Sequence, residues 1–499
     1  VGAVSVTYAE NTINSDIDAL ISQTNLTATT GKVSHKANSE ADIISIAIGA
    51  AVSKNDNPDF DTKLGLSVAA AVSNNLVRMN TRAKVTNGST ITLPSHDLAT
   101  ARLDVAASNE TDVIAVVVAA AVAIETGGKT TVSLTGAGAS VSNEVYGDTE
   151  ALIDGSSINQ ANTTNAESTS AIGSYLKADV SGDVSAYVVA ANLAIAAATS
   201  GTGVAGGIGV SLAENVIGGD PEYADKANVI RALINNSDID LSGQTSTHAE
   251  NTSKNVSVVV AASVAVAKST SGSAGALSGV GASSTNTINV DVTSGVSATL
   301  DDKSILADSL HIRAVDDSTI ITSIVGVSVA GAYSPSAKSG TLSIGVSLAE
   351  NNITSNTLAI LDNVDVGTLT SKIGDLTISA ESKPNITATS VAVSIADSYS
   401  NTGALALSGG GADANNTIAG STIARIKDSS VFSSGTVTLS AQNIAEIDAT
   451  VAAVAVAGAV GGTKAGAGLA IGAAVSANDI GTSNNRLTVQ SYIKNSAVN

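Results

Sequence analysis

Apolar and polar positions alternate with a period of two along much of this chain. Between 389 and 396, Val391, Val393 and Ile395 fall on one side of an extended segment and Ala392, Ser394 and Ala396 on the other. The same alternation marks Leu103-x-Val105-x-Ala107, Leu310-x-Ile312-x-Ala314, Leu376-x-Ile378-x-Ala380 and Val437-x-Leu439-x-Ala441. No window shows helical spacing of comparable strength, and Gly and Ser interrupt every stretch that might support a helix. The chain reads as all-β.

A short motif then recurs along its length: Asn11-Thr-Ile13, Asn75-Leu-Val77, Asn143-Glu-Val145, Asn215-Val-Ile217, Asn286-Thr-Ile288, Asn351-Asn-Ile353, Asn416-Thr-Ile418 and Asn478-Asp-Ile480. Successive Asn positions lie 64, 68, 72, 71, 65, 65 and 62 residues apart. Other landmarks keep step. An Ala-x-Ile-like pair follows (Ala19/Ile21, Ala83/Val85, Ala151/Ile153, Ala359/Leu361, Ala424/Ile426), and then a polar residue before an aliphatic one, as in Ser237-Asp-Ile239. Each unit also holds two long strands around a variable loop, such as 389–396 and 403–412 across 397–402. A period of this size means stacked units that bury their faces on one another.

Two architectures accommodate such strands. An antiparallel array closing into a porin-like barrel should carry aromatic girdles, which eight Tyr and two Phe cannot supply. A parallel solenoid places all variable loops on one edge and stacks identical Asn side chains into hydrogen-bonded ladders at its bends. The fold expected is therefore an elongated right-handed parallel β-solenoid (β-helix) of about eight 62–72-residue repeats, one continuous array over 1–499 and a segment of a longer chain. Whether one repeat makes one coil or two stays open. The register places Val393, Ile395, Leu405, Leu407, Ile378 and Leu439 in the core. It leaves a flat outward face of small residues, including Ala455, Ala457 and Ala459, which something must cover.

Composition narrows the function. Aromatics are 2% of the chain, Trp is absent, and hydrophobic residues, largely Ala, Val, Ile and Leu, are 43%. The net charge of −20 repels nucleic acid and anionic lipid and keeps a sheet-rich chain soluble. Without cysteine, no disulfide contributes, a pattern suited to bacterial export. The apolar runs at 113–124, 186–198 and 451–462 are shorter than the roughly 20 residues a membrane helix needs, so no membrane span is expected.

The series of Val-Ala-Val-Ala strand, small-residue strand, Asn-x-Ile, Ala-x-Ile and Leu-x-Ile-x-Ala resembles the repeats of filamentous-haemagglutinin-like and other large repetitive bacterial surface adhesins. The resemblance spans essentially the whole chain, rests on structural motifs, and carries over no catalytic residue. It implies a parallel β-helix stalk in an extracellular, cell-surface setting, with self-association or with other surface proteins and glycans as partners. The glycine-aspartate nonapeptide of calcium-binding repeats is absent. The expected function is thus structural and non-catalytic: the shaft of a giant adhesin, or a self-associating filament of the kind found in biofilms. The alternative is a ligand-binding solenoid for glycan, calcium or ice, or, more remotely, a polysaccharide lyase or hydrolase.

Candidate chemistry is sparse. His35, His96, His248 and His311 occupy different units and are read as exposed loop or strand-edge residues. The carboxylate pairs Asp301-Asp302 and Asp316-Asp317 have the composition of acid/base pairs, but the repeat runs nearly unbroken around them and aromatic rings for stacking sugars are scarce. No cofactor is expected. Calcium is the one candidate ion, at Asp56, Asn57, Asp59 and Asp61 in the first variable loop, where oxygen ligands alternate.

Overall fold

The computed structural model describes residues 1–57, 60–94, 102–161, 173–219, 226–299, 303–483 and 485–499. Every strand pairing among them is parallel, and the strands form three sheets that do not close into a barrel. Each repeat contributes one long strand to sheet I, a short one to sheet II and a long one to sheet III. In coil 1 these are Gly2–Ser22, Asn25–Thr27 and Val33–Asn55; in coil 2, Thr62–Thr86, Thr90–Leu93 and Arg102–Thr126. The winding is that of a right-handed parallel β-solenoid.

Pairing settles the number of coils per repeat. Asn11 pairs with Asn75, Asn75 with Asn143, Asn143 with Asn215, and so on to Asn416 with Asn478. One repeat is one coil. Stacking at about 4.8 Å makes the array about 35 Å tall, whereas a strand of 26 residues such as Gln244–Ser269 extends for about 85 Å. The length of this molecule lies in its coils.

Each coil has two parts. At one end the three sheets enclose a triangular body with large aliphatic side chains inside. There the polar-x-aliphatic motif of the sequence forms one rung of sheet II: Leu26, Ile91, Ile158, Ile239, Ile305, Val366, Val431 and Val498 pair in succession. At the corner leading into sheet II the chain adopts positive φ at Asn87, Asn236, Asn363, Asp428 and Asn495, residue types that tolerate the left-handed region.

At the other end sheets I and III lie directly on each other as a two-layered fin. Its interior is Ala, Ser and Gly, and the layers are in backbone contact. A Cβ on Gly49 would lie 2.5 Å from the Ala70 carbonyl oxygen, and one on Gly345 would lie 2.8 Å from that of Val393. Serine hydroxyls span the gap: Ser67 donates to the Ala51 carbonyl at 2.7 Å, Ser133 to Ala123 at 2.7 Å, and Ser408 to Ser394 at 2.8 Å. Two sheets packed through large side chains sit about 10 Å apart, too far for such bonds.

The fin reverses the register expected from hydrophobicity. Ala392, Ser394, Ala396, Ala404, Ala406 and Ser408 are buried, while Ile395 and Leu405 are 37% and 47% exposed and Val393 and Leu407 lie half-exposed on the outer face. Ile378, in the body, is fully buried as expected; Leu439, in the last strand pair of the body, is half-buried. The small-residue face is thus covered by the second layer of its own coil. Short links such as 462–465 hold the two layers together, and only small side chains let them meet without voids.

Candidate functional site

The anchor asparagines form one continuous chain of hydrogen bonds. Asn11 Nδ2 donates to Asn75 Oδ1 at 2.8 Å, Asn75 to Asn143 at 2.7 Å, Asn143 to Asn215 at 2.8 Å and Asn215 to Asn286 at 3.2 Å. Asn286 donates to Asn351 at 2.9 Å, Asn351 to Asn416 at 2.8 Å, and Asn416 to Asn478 at 2.7 Å. The sequence placed these residues at bends. They lie instead in mid-strand on the inner face of sheet I, where the body narrows into the fin. Sheet III answers with hydroxyls: Ser257 donates to Asn286 Oδ1 at 2.7 Å, and Thr322 to Asn351 Oδ1 at 2.6 Å. A polar wall therefore divides the aliphatic core from the alanine core and fixes the register of every coil.

On the outer face of the body, sheet III carries paired charges. Lys177 and His248 are register neighbours, as are Asp179 and Glu250 one rung on. Lys177 Nζ lies 2.5 Å from Asp179, His248 Nε2 lies 3.0 Å from Glu250 Oε2, and Arg313 lies 3.3 Å from Glu381, which Lys383 also contacts. One ligand atom each from Asp179, His248 and Glu250 fall within 4.8 Å of one another, all partly buried. Burial pushes the Asp179 carboxyl above its usual range, against the pull of Lys177. A divalent cation fits such a donor set; the imidazole favours zinc over calcium, which prefers oxygen ligands alone. The sequence missed this trio because Asp179 lies 69 and 71 residues before His248 and Glu250. That interval is one coil, so superposing the repeats would have revealed it. His248 lies within the strand Gln244–Ser269 rather than at a loop or edge, whereas His35 is near the start of the edge strand Val33–Asn55, where its ring nitrogen meets the Lys84 carbonyl oxygen at 3.2 Å. His311 also lies within a strand, and His96 lies outside the described residues.

Of the candidate calcium loop, Asp56, Asn57 and Asp61 are described. Asp56 pairs with Lys54 at 2.9 Å, which holds its carboxyl below the usual range, and Asp61 pairs with Lys129 of the next coil at 2.7 Å. The Asn57 amide donates to Asn55 Oδ1 at 3.2 Å, while Asp59 lies outside the described residues.

Asp301 and Asp302 also lie outside the described residues, and the other carboxylate pair is split: Asp316 points inward and is fully buried, Asp317 outward. Asp316 Oδ1 accepts from Ser318 Oγ at 2.6 Å and Asn251 Nδ2 at 2.8 Å. Burial raises its pKa despite these donors. A raised folded-state pKa means that the stabilisation is present below the ordinary carboxylate range, near 3.9, and is lost as pH rises through the raised value. Asp316→Asn removes that loss. Melting curves from acidic to neutral pH should show the variant gaining on the parent as pH rises; a constant difference would contradict the assignment.

No helix among the described residues is long and apolar enough to cross a membrane. Comparison with protein-family models, with curated proteins and with solved structures returned no match.

Proposed function

We propose that this chain is a structural, non-catalytic solenoid of the bacterial exterior, the shaft of a large surface adhesin or a self-associating surface filament. The observation that supports this reading is the asparagine chain, which passes through all eight coils without interruption. A shaft requires only that each coil template the next, and stability then builds from nearest-neighbour interfaces. Excision of 286–350 joins Thr285 directly to Asn351, which occupies the rung that Asn286 vacates. The shortened chain should fold with unchanged β-sheet circular dichroism, shorter by about 4.8 Å in small-angle scattering. A chain that no longer folds would contradict a modular shaft. Antibody labelling of intact source cells tests the surface setting, and purely internal labelling would refute it.

A ligand-binding solenoid is the second reading, and it has a specific side-chain cluster behind it where the surface setting has none. Asp179, His248 and Glu250 would hold a cation. Saturable zinc uptake in calorimetry, abolished by His248→Ala, would favour this reading over an inert shaft.

A further inference from the structure

The outer face of sheet I in the fin combines exposed aliphatic side chains with glycines that the fold does not require. On one rung, coils 3 to 8 read Gly136, Ile208, Gly279, Ile344, Gly409 and Ile471. The adjacent rung alternates in phase: Gly138, Val210, Gly281, Val346 and Gly411. On these two rungs coils 4 and 6 raise aliphatic ridges, coil 8 adds Ile471 beside Ala473, and coils 3, 5 and 7 leave furrows, bounded on the preceding rung by Leu134, Leu277 and Leu407. Ile208 is 64% exposed and Ile344 45%.

Glycine weakens a strand, so a repeated one needs a reason. The inward glycines have one, since a methyl at Gly49 or Gly345 would strike backbone. The furrow glycines have none within the chain. A Cβ at 136, 138, 279, 281, 409 or 411 would meet nothing within 4 Å, and none of these glycines has positive φ. Glycine in mid-strand is a mark of another backbone or ligand coming close.

We propose that this face binds a second copy of the chain, ridge into furrow; the inference rests on the structural reading above and names the surface through which such a shaft associates. Three observations select this occupant. Ridges and furrows repeat every second coil, about 9.6 Å, and the same face of another copy presents that spacing. A two-fold axis along the strand direction, midway between coils 5 and 6, sets coil 5 on coil 6, coil 4 on coil 7 and coil 3 on coil 8, with Ile opposite Gly each time on the first rung. The area is also sufficient. The ten residues of strand from 132 to 141 and their partners across coils 3 to 8 give about 950 Å² per copy, against about 800 Å² per partner in a stable interface. Finally, the two rungs carry no charge; Asp413 is the one charged residue on the next rung in coils 3 to 8, and Glu214 and Glu350 border the face beyond it and would limit growth past a pair. Sheet III's outer face has no such alternation: Val118, Val189, Val260, Val325 and Val391 follow one another on one rung.

Sedimentation velocity of the parent chain across micromolar concentrations should show a monomer–dimer equilibrium. Gly279→Val with Gly409→Val fills two furrows with a good strand former, so the monomer's melting temperature should hold or rise while dimerisation weakens about a hundredfold. Val266→Asp, on the opposite face, should leave the dimer intact. A parent that stays monomeric would overturn the proposal, as would pairing that persists or strengthens in the glycine variant, the result expected of a merely sticky face. Co-sedimentation of the chain with phosphatidylcholine vesicles, blocked by the same variant, would replace the second copy with lipid and overturn it too. In each case a parent whose coil can still be excised leaves the shaft reading standing.

Discussion

Asn286→Leu is expected to destabilise the solenoid by about 3 kcal/mol, more than any surface substitution on it, because several buried groups lose their partner at once. Asn286 Oδ1 accepts from Asn215 Nδ2 and Ser257 Oγ, and the two hydrogens of its Nδ2 are shared among Ser284 Oγ at 3.0 Å, Thr322 Oγ1 at 2.8 Å and Asn351 Oδ1 at 2.9 Å. All five partners are fully buried or nearly so. Leucine fills a similar volume but answers none of these groups. Each one left unsatisfied costs about 1–3 kcal/mol, and some of them relax onto neighbours such as the Val256 carbonyl. Urea unfolding of the variant beside the parent measures the loss. A midpoint unchanged at constant slope would mean that the chain of amides is ornamental.

Gly345→Val is the second large effect, expected to cost about 3 kcal/mol by overpacking. The added Cβ alone would lie 2.8 Å from the Val393 carbonyl oxygen, so the fin must part along coil 6 to admit it. Leu405→Ala, on the outer face of the next coil, should stay within about 0.5 kcal/mol, as exposed sites do. Had the aliphatic face been inward, as the alternation of Val, Ile and Leu suggests, the order would invert, since a buried Leu→Ala costs about 2–5 kcal/mol. Thermal melts of the two variants side by side show which face is inside.

That inversion shows where the sequence can be read and where it cannot. The eight asparagines gave the repeat and, without adjustment, the register of sheet I: each pairs with the next. The body was legible for the same reason, since Ile312 and Ile378 lie on alternating strands with a large core to fill. The fin was not, because it has no core to fill. Two layers in backbone contact select for small size, and an alanine face that excludes every void is buried more readily than a valine face that would hold the layers apart. One signal was present but mixed: Gly345 and Gly410 fall in phase with Ala and Ser, whereas Gly340, Gly409 and Gly411 share the aliphatic phase. The charged trio on sheet III was hidden differently. Asp179 joins His248 and Glu250 only through pairing between coils, and the candidate acidic loop drew attention by being contiguous.

The orientation of the fin is the claim on which the self-association surface and both stability predictions depend, and the chain's lack of cysteine makes it directly measurable. Single cysteines placed in turn at positions 391 to 396, on the sheet III face away from the proposed pairing surface, can be challenged with a maleimide under native conditions. The account predicts rapid labelling at 391, 393 and 395 and protection at 392, 394 and 396. Labelling with the opposite phase would put the aliphatic face inside and contradict it.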